Sequence, residues 1–533
     1  MRPSPIRIRV MRKSIAGKLF VIITVSLLAA LSCGKEEHGN NTFVIAEKVS
    51  SITGTIKYSD GKPAADVVVS DSYSTTKTDA SGNFSMDVNK DAYYVWYSIP
   101  SDAKVNIGTN GIPSFFQRIT SGQTNYNFVI ERQEVEKDFI ILGLGDPQVK
   151  NATQIKRFST EAVPDVIKFV NKHSGTPVYG MALGDMVGNT WDLLADIRDA
   201  MAKKKISIPV FMTIGNHDHE FPKSNDLLAS RRYEGLYGPL NYSFNRGKLH
   251  IVSMDDVFHG ASASDDYVGG LHEWQYNWLK KDLSYVPRDW SVLLCNHIAY
   301  KDKWNDGTVD RYHDEVIALL SEFASAAMIA GHSHNVNNRF AYNGRKVPEY
   351  IVGTTCGAWW HSMTCTDGAP NGYGVLEYKD SRLVNEYYKS IRFPEDYQMR
   401  LYPADEAYFA GGDAWYFSDS VKKKGRIVAN VWGENLNWKF EVYEDGVLVA
   451  NTMTKKSTVD PWSSSWFVNS EKLTSSSYTS NIVHMFYHDL KNPSANVKVV
   501  ATDQFGNRYE CDQLTTSVSL PSPEAGFYRD LYE

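Results

Sequence analysis

Two patterns of hydrophobic and polar positions divide this chain into three parts. In residues 49–132 and again in 396–533, apolar residues alternate with polar ones, as at Ile52, Ile56 and Tyr58. This period of two predicts short strands that form two β-sandwiches. In residues 133–395, unbroken apolar runs alternate with amphipathic stretches, which predicts buried strands covered by helices. We therefore expect a layered α/β core between a small amino-terminal β-sandwich and a carboxy-terminal β-sandwich.

The middle part contains six apolar runs of strand length and three stretches with helical periodicity. The runs cover residues 139–144, 178–183, 208–214, 251–254, 292–295 and 328–330, and the stretches cover 191–203, 271–282 and 314–323. Five runs end in polar residues, in the order Gly145-Asp146-Pro147-Gln148, Gly184-Asp185-Met186-Val187-Gly188-Asn189, Gly215-Asn216-His217-Asp218, Asn296-His297 and Gly331-His332-Ser333-His334. Ligands of open α/β sheets collect at the carboxyl ends of the strands, so we expect the five ends to converge.

The residue types at these strand ends indicate a site for two divalent cations. Carboxylate oxygens combined with imidazoles suit Mn, Fe, Zn or Co. A carboxylate shared by two ions holds them about 3.5 to 4 Å apart, close enough to clamp a phosphate group and polarise a water between them. One Asn-His pair alone is usually structural, but a purely structural role does not explain the whole ordered set.

The charge of the chain argues against a nucleic-acid polymer as its partner. The 533 residues carry a net charge of −6, and residues 1–32 hold six basic and no acidic side chains. Without that segment, 50 basic and 62 acidic side chains remain, which gives a net charge of −12. A chain this acidic has no basic stripe with which to displace counterions from a phosphate backbone.

The amino terminus has the pattern of a secretory leader. Residues 1–18 are basic, and the apolar run 19–32 is short for a membrane-spanning helix. Residues 30–34 resemble a bacterial lipobox, which implies cleavage and lipid attachment at Cys33. A linker over 33–48 would follow. The alternative is an ordinary signal peptide with an incidental cysteine. We expect an exported bacterial lipoprotein at the outer membrane or cell surface, or alternatively in the periplasm, attached to the membrane through its acyl chains.

With these motifs, residues 133–395 resemble a calcineurin-like metallophosphoesterase, and the flanking modules resemble those of one bacterial branch of that family. The amino-terminal module is also similar to carboxypeptidase-regulatory-like modules, for which a packing or spacer role is expected. The resemblance implies a β-sandwich core flanked by helices, and two metal ions (Mn, Fe, Zn or Mg). It implies that the first metal is surrounded by Asp146, Gln148, Asp185 and His334, and that Asp185 bridges to the second, which Asn216, His297 and His332 complete. It further implies that His217 donates a proton or hydrogen bond to the substrate oxygen and that Asp218 orients His217.

Gln148 departs from the commoner family pattern, which has histidine at this position. A glutamine carbonyl is a harder and weaker donor than imidazole, so the first metal is expected to bind less tightly or to favour Mn or Mg; the alternative is a hydrogen bond from Gln148 to metal-bound water. The implied reaction is direct attack of a metal-bridging hydroxide on phosphorus. The substrate is expected to be a phosphomonoester or phosphodiester, and the residues do not distinguish the two.

Several other residues have open interpretations. His219 could face the pocket but is expected to be exposed or to stand behind the ligands. Asp255 and Asp256 could influence the site but are expected to cap a strand or to be exposed to solvent. The aromatic residues of segment 357–361 either form a wall of the substrate pocket or pack between domains. Cys295 is expected to be a core thiol, and Cys356 and Cys365 are close enough in sequence to form a disulfide.

Two further classes of protein compete with a hydrolase. The chain could be a non-catalytic surface lipoprotein that binds glycan or protein through its β-modules, or a structural envelope component. Decay of the site usually removes the bridging aspartate or the Gly-Asn-His-Asp segment, and both are present. The hydrolase hypothesis is therefore preferred, while the sequence does not predict the oligomeric state.

Overall fold

The structure is a computed structural model that describes residues 50–516 except 205, 224, 260–266, 301–308, 343–345, 409–413, 436 and 466–481. The predicted leader, the lipid attachment at Cys33 and the linker lie outside the described residues. None of the described helices is long and apolar enough to cross a membrane.

Within these residues the chain forms the following elements. The strands are β1 (Ser51–Tyr58), β2 (Val68–Ser70), β3 (Thr75–Lys77), β4 (Asn83–Asp87), β5 (Tyr94–Tyr97), β6 (Phe116–Arg118), β7 (Asn125–Ile130), β8 (Phe139–Leu144), β9 (Val178–Leu183), β10 (Val210–Thr213), β11 (Tyr242–Arg246), β12 (Leu249–Ser253), β13 (Val257–His259), β14 (Tyr267–Gly270), β15 (Ser291–Cys295), β16 (Val309–Arg311), β17 (Ser325–Ala330), β18 (Asn337–Tyr342), β19 (Lys346–Ile351), β20 (Gly372–Lys379), β21 (Arg382–Ser390), β22 (Arg400–Pro403), β23 (Arg426–Asn430), β24 (Lys439–Glu444), β25 (Val447–Ala450), β26 (Thr454–Lys455), β27 (Met485–Asp489), β28 (Val497–Thr502) and β29 (Arg508–Cys511). The α-helices are α1 (Ala152–Lys172), α2 (Leu194–Lys203), α3 (Asp226–Tyr237), α4 (Glu273–Leu283) and α5 (His313–Leu320).

The amino-terminal module consists of two small sheets with strand orders β4-β1-β7 and β3-β2-β5-β6. Strand β1 alternates buried and exposed residues, as its period of two predicts. The interior of this module continues into the middle part, because Trp96 packs edge-on against Trp278 of α4 with ring centroids 5.9 Å apart. The amino-terminal module therefore shares its hydrophobic core with the middle part.

The middle part is a layered α/β structure built on two sheets, as predicted. Their strand orders are β10-β9-β8-β20-β21 and β11-β12-β15-β17-β19-β18. Strands β8, β9 and β10 are parallel neighbours, and so are β12, β15, β17 and β19. Apolar residues of both sheets form one core, in which a Cβ on Gly143 of β8 would lie 2.5 Å from the Ile329 side chain of β17. Helices α1 and α2 pack on another apolar cluster of the first sheet.

The carboxy-terminal module is a β-sandwich, again as predicted. Its two four-stranded sheets have strand orders β22-β23-β27-β26 and β25-β24-β28-β29. Residues from both, among them Ala429, Val442 and Val499, form its apolar core. Strands β20 and β21, which precede this module, complete the first sheet of the middle part, so the chain returns to the core before entering the last sandwich.

Candidate metal centre

The five polar strand ends meet at one edge of the two middle sheets. Asp146 and Gln148 follow β8, Asp185 follows β9, and the segment Asn216–Asp218 forms a 3₁₀ turn after β10. His297 follows β15, and His332 and His334 follow β17. The structure thus brings together all the residues that the sequence analysis predicts as ligands.

The backbone at this edge is strained. Left-handed φ angles are uncommon outside glycine and cost on the order of 1 to 3 kcal/mol each, and they cluster at functional sites. Five of the predicted ligands have them, namely Asp146 (45°), Gln148 (40°), Asp185 (53°), His332 (69°) and His334 (52°). Gly184, with φ of 89°, allows the close approach of His297, whose Nδ1 would lie 2.4 Å from a Cβ at this position. The fold therefore tolerates local strain in order to direct these side chains inward.

The first group of potential ligands consists of Asp146, Asp185 and His334, whose ligand atoms lie within 4.8 Å of one another. His334 Nε2 is 3.6 Å from Asp146 Oδ1. Gln148 donates from Nε2 to Asp185 Oδ2 at 2.9 Å, and its buried Oε1 has no hydrogen-bond partner among the described residues. A buried carbonyl oxygen without a partner is costly, and a cation in the first group would provide the missing partner. Gln148 therefore fits direct coordination.

The second group consists of Asp185, His297 and His332, again with ligand atoms within 4.8 Å of one another. His297 Nε2 is 3.3 Å from Asp185 Oδ1. Asn216 Oδ1 lies 3.0 Å from both His297 Nε2 and His332 Nδ1. The Leu183 carbonyl is 2.7 Å from His297 Nδ1 and accepts its hydrogen, which directs Nε2 at the group.

Asp185 belongs to both groups, which is the position that a bridging carboxylate requires. Burial alone would raise the pKa of Asp185, but the imidazoles of His297 and His217 hold it below its usual range. Burial raises the pKa of Asp146 to about 8. Burial also lowers the pKa of both His332 and His334 to about 3, and neutral imidazole is the form that binds a metal. The donor set therefore fits two divalent cations.

His217 lies beside the groups and is only partly buried. Its backbone N–H donates to Asp185 Oδ1 at 2.9 Å, and its Nδ1 lies 2.7 Å from Asn189 Oδ1. Asp218, to which the sequence analysis gave the orienting role, instead accepts the backbone N–H groups of Val187 and Gly215 at 3.1 and 3.0 Å. Asp218 therefore stabilises the loops that carry the ligands, while Asn189 contacts the His217 ring.

Two residues behind the second group hold its loops. Asp256 is fully buried and accepts the backbone N–H groups of His297 and Ile298 at 3.1 and 3.0 Å, so it positions a ligand instead of being exposed to solvent. His219 is also fully buried: its Nδ1 is 2.9 Å from Gly215 O and its Nε2 is 3.5 Å from Asp255 Oδ2. Burial alone would lower the pKa of His219, but Asp255 raises it to about 9.

The aromatic residues after the last ligand motif contact the first group. The Trp359 ring stacks on His334 with centroids 4.4 Å apart, and Trp360 donates from Nε1 to Pro147 O at 2.8 Å. Cys356 and Cys365 are buried free thiols, so the possible disulfide is absent from the structure. Cys295 is a buried core thiol as predicted.

Sequence comparison agrees with this geometry. The family model described as "Calcineurin-like phosphoesterase" matches residues 139–336. A second family model, for the N-terminal part of calcineurin-like phosphoesterases, matches residues 50–133. A third model, for their C-terminal part, matches residues 349–509. No curated protein matches the chain.

Solved structures similar to the chain include several phosphatases. A dimetal phosphatase from Danio rerio is 15% identical, with 48% of this chain and 96% of that chain covered and a TM-score of 0.35. A purple acid phosphatase from yellow lupin (Lupinus luteus) is 11% identical, with 61% and 69% covered and a TM-score of 0.35. The calcineurin-like phosphoesterase YfkN from Bacillus subtilis is 12% identical, with 48% and 90% covered and a TM-score of 0.24. With its three matched regions, the chain belongs to the calcineurin-like phosphoesterase family and is a metal-dependent phosphoric ester hydrolase.

Proposed function

We propose that this protein uses a dinuclear centre to hydrolyse a phosphomonoester or phosphodiester by direct attack of an activated water on phosphorus. The observation that carries the proposal is the position of Asp185, whose carboxylate belongs to both ligand groups. Two divalent cations, when bound, supply the charge that activates the water and neutralises the phosphoryl oxygens. Asp146, Gln148 and His334 would hold one ion with Asp185, while Asn216, His297 and His332 would hold the other.

His217 is the residue best placed to assist the leaving group. It is partly buried, and its Nδ1 lies 2.7 Å from Asn189 Oδ1, which holds the ring beside the two groups. A proton or hydrogen bond given from Nε2 to the leaving oxygen would stabilise the charge that develops there. Asn189 would keep the ring in this orientation during turnover.

Metal content and a matched pair of substrates test this function. We expect about two divalent ions per chain by mass spectrometry after loading with Mn²⁺ or Zn²⁺. The loaded protein should release p-nitrophenol from p-nitrophenyl phosphate or from bis(p-nitrophenyl) phosphate, and the ratio of the two rates assigns the monoester or diester class. A folded chain that binds no ion and cleaves neither substrate would contradict the proposal and favour a non-catalytic surface protein.

We further propose that the enzyme is exported and attached to a membrane by acyl chains on Cys33. The support is the order of a basic segment, an apolar run and the small residues Ala30 and Gly34 around Cys33. Growth with an alkyne-labelled fatty acid should label the wild-type chain but not Cys33→Ser. Equal labelling of both chains, or none in a bacterial host that processes lipoproteins, would exclude this anchor.

A further inference from the structure

Residues 354–371, here called the site segment, connect the metal centre with the carboxy-terminal module. At its start, Thr355 donates from its backbone N and its Oγ1 to Gly145 O at 2.9 and 3.1 Å. Farther along, Trp360 donates to Pro147 O at 2.8 Å. The site segment therefore binds the backbone on both sides of Asp146.

The site segment also holds His334 at two points. Trp359 stacks on the imidazole with an angle of 21° between the ring planes. Thr366 donates from its backbone N and its Oγ1 to His334 O at 3.0 and 2.9 Å. Both the ring and the backbone of this ligand are thus fixed by one stretch of chain.

The next residue, Asp367, is bound by the carboxy-terminal module. Its Oδ2 accepts the Val336 backbone N–H at 2.7 Å and lies 3.1 Å from His484 Nε2. Asn430 donates from Nδ2 to Asp367 O at 2.9 Å, and its Oδ1 lies 2.8 Å from His484 Nδ1. Asp367, Asn430 and His484 are 3%, 0% and 2% exposed, so water competes little for these bonds.

Two further side chains of the same module extend this contact. Asp460 accepts from Asn430 Nδ2 at 2.9 Å and lies 3.6 Å from Arg400. Arg400 in turn donates to Gly368 O in the site segment. We call Arg400, Asn430, Asp460 and His484 the clamp. A buried polar network is stable only when its members are paired in one geometry, so the clamp fixes the site segment more narrowly than an apolar interface would.

We propose that the carboxy-terminal module controls metal binding at the first group. The clamp, acting through Asp367 and the site segment, positions His334 and Trp359 and so sets the affinity of the first group for its cation. The inference rests on the proposed function in taking the first group as a cation site. His484 is a positioning residue, since its contact with the ligands passes through Asp367. His297 of the second group is held instead by Leu183 and Asp256 of the middle part.

Calorimetric titration of the full chain with Mn²⁺ alone, paired with kinetics on p-nitrophenyl esters, tests the proposal. His484→Ala should weaken one of the two ions about 10- to 100-fold, as removal of groups behind metal ligands does, and leave the other unchanged. His484→Gln, whose amide can still donate to Asp367, should restore part of the loss. Lys498→Ala, which removes an exposed ion pair with Glu510 in the same module, should bind both ions as the wild type does.

The outcomes separate this inference from the function itself. A wild-type chain that binds no Mn²⁺ overturns the proposed function. A wild-type chain that binds two ions, together with a folded His484→Ala that binds both equally well, overturns the positioning role. If His484→Ala does not fold, Thr366→Val decides, because it removes the hydroxyl bond to His334 and leaves the clamp intact; unchanged affinity for both ions in that variant also overturns the proposal.

Discussion

The two ligand groups share Asp185 but are held in different ways. In the second group the ligands contact one another, with Asn216 Oδ1 3.0 Å from both imidazoles, and Leu183 and Asp256 of the middle part fix His297. In the first group, His334 depends on Trp359 and on a segment bound by another module. His297 of the second group is therefore held by residues of the middle part, whereas His334 of the first group is held by a segment that the carboxy-terminal module binds. We expect the second group to bind its ion more tightly.

The largest effect is expected from Asp185→Asn, because this change removes a charged ligand from both groups at once. Activity should fall about 10⁴-fold or more, as when a member of a cooperating catalytic set is lost. Mass spectrometry should then find less than two ions per chain.

A substitution that affects only one ligand group provides a control for the metal content of Asp185→Asn. Asp146→Asn should mainly weaken the first group and leave an ion in the second. If Asp185→Asn and Asp146→Asn lose the same single ion, Asp185 does not bridge the groups.

His217→Ala should keep both ions and still lose activity, because His217 contacts the groups without being a ligand. The expected loss is about 10²- to 10⁴-fold for a general acid. Asn189→Ala should show a smaller loss, about 10- to 100-fold, since the ring remains but loses its orienting contact. Steady-state kinetics of the Mn²⁺-loaded variants measures both, and full activity in His217→Ala would remove this residue from the mechanism.

Gln148→His tests the difference between the groups, because it changes a ligand of the group that is expected to bind its ion less tightly. Imidazole is a stronger donor than an amide oxygen to Zn²⁺, so the first ion should bind about tenfold more tightly and the two affinities should approach each other. Calorimetry with Zn²⁺ measures this change. If neither affinity changes, Gln148 does not coordinate the ion, and its free Oε1 requires another explanation.

Much of this centre could be predicted because its ligands follow strands whose apolar runs are clear. The runs at 139–144 and 178–183 agree with β8 and β9 as observed, and parallel neighbours necessarily place their carboxyl ends together. Helix α1, which contains Pro164, lies outside the predicted helical stretches.

The supporting contacts were not predictable, because they depend on how distant loops fold against one another. Asn189 is 28 positions from His217, and His484 is 117 positions from Asp367. Each is a common polar residue with no motif of its own. The two signals that were available are Asn189 at the end of the Gly-Asp motif and Asp256 just after a buried strand, and neither indicates its partner. Sequence therefore predicted the ligands better than the residues that position them.

Glu386, a buried carboxylate outside both groups, provides a contrast to both, because its expected effect is on the stability of the fold and not on metal affinity or activity. Glu386 accepts from the amide of Asn338 at 3.1 and 3.0 Å, and burial raises its pKa to about 8. The folded chain thus keeps a proton that the unfolded chain releases near its ordinary pKa of 4.5. Stability should therefore fall as pH rises from about 4.5 to about 8 and then level off.

Glu386→Gln should abolish this contribution, since the neutral amide has the same shape and no proton to lose. The variant should match the wild type near pH 4.5 and exceed it at pH 9 by on the order of a few kcal/mol, because each pKa unit corresponds to about 1.4 kcal/mol. Urea unfolding at the two pH values measures the difference, with Glu510→Gln at an exposed position as the control. Equal stability of wild type and Glu386→Gln at pH 9 would show that Glu386 ionises in the fold without cost.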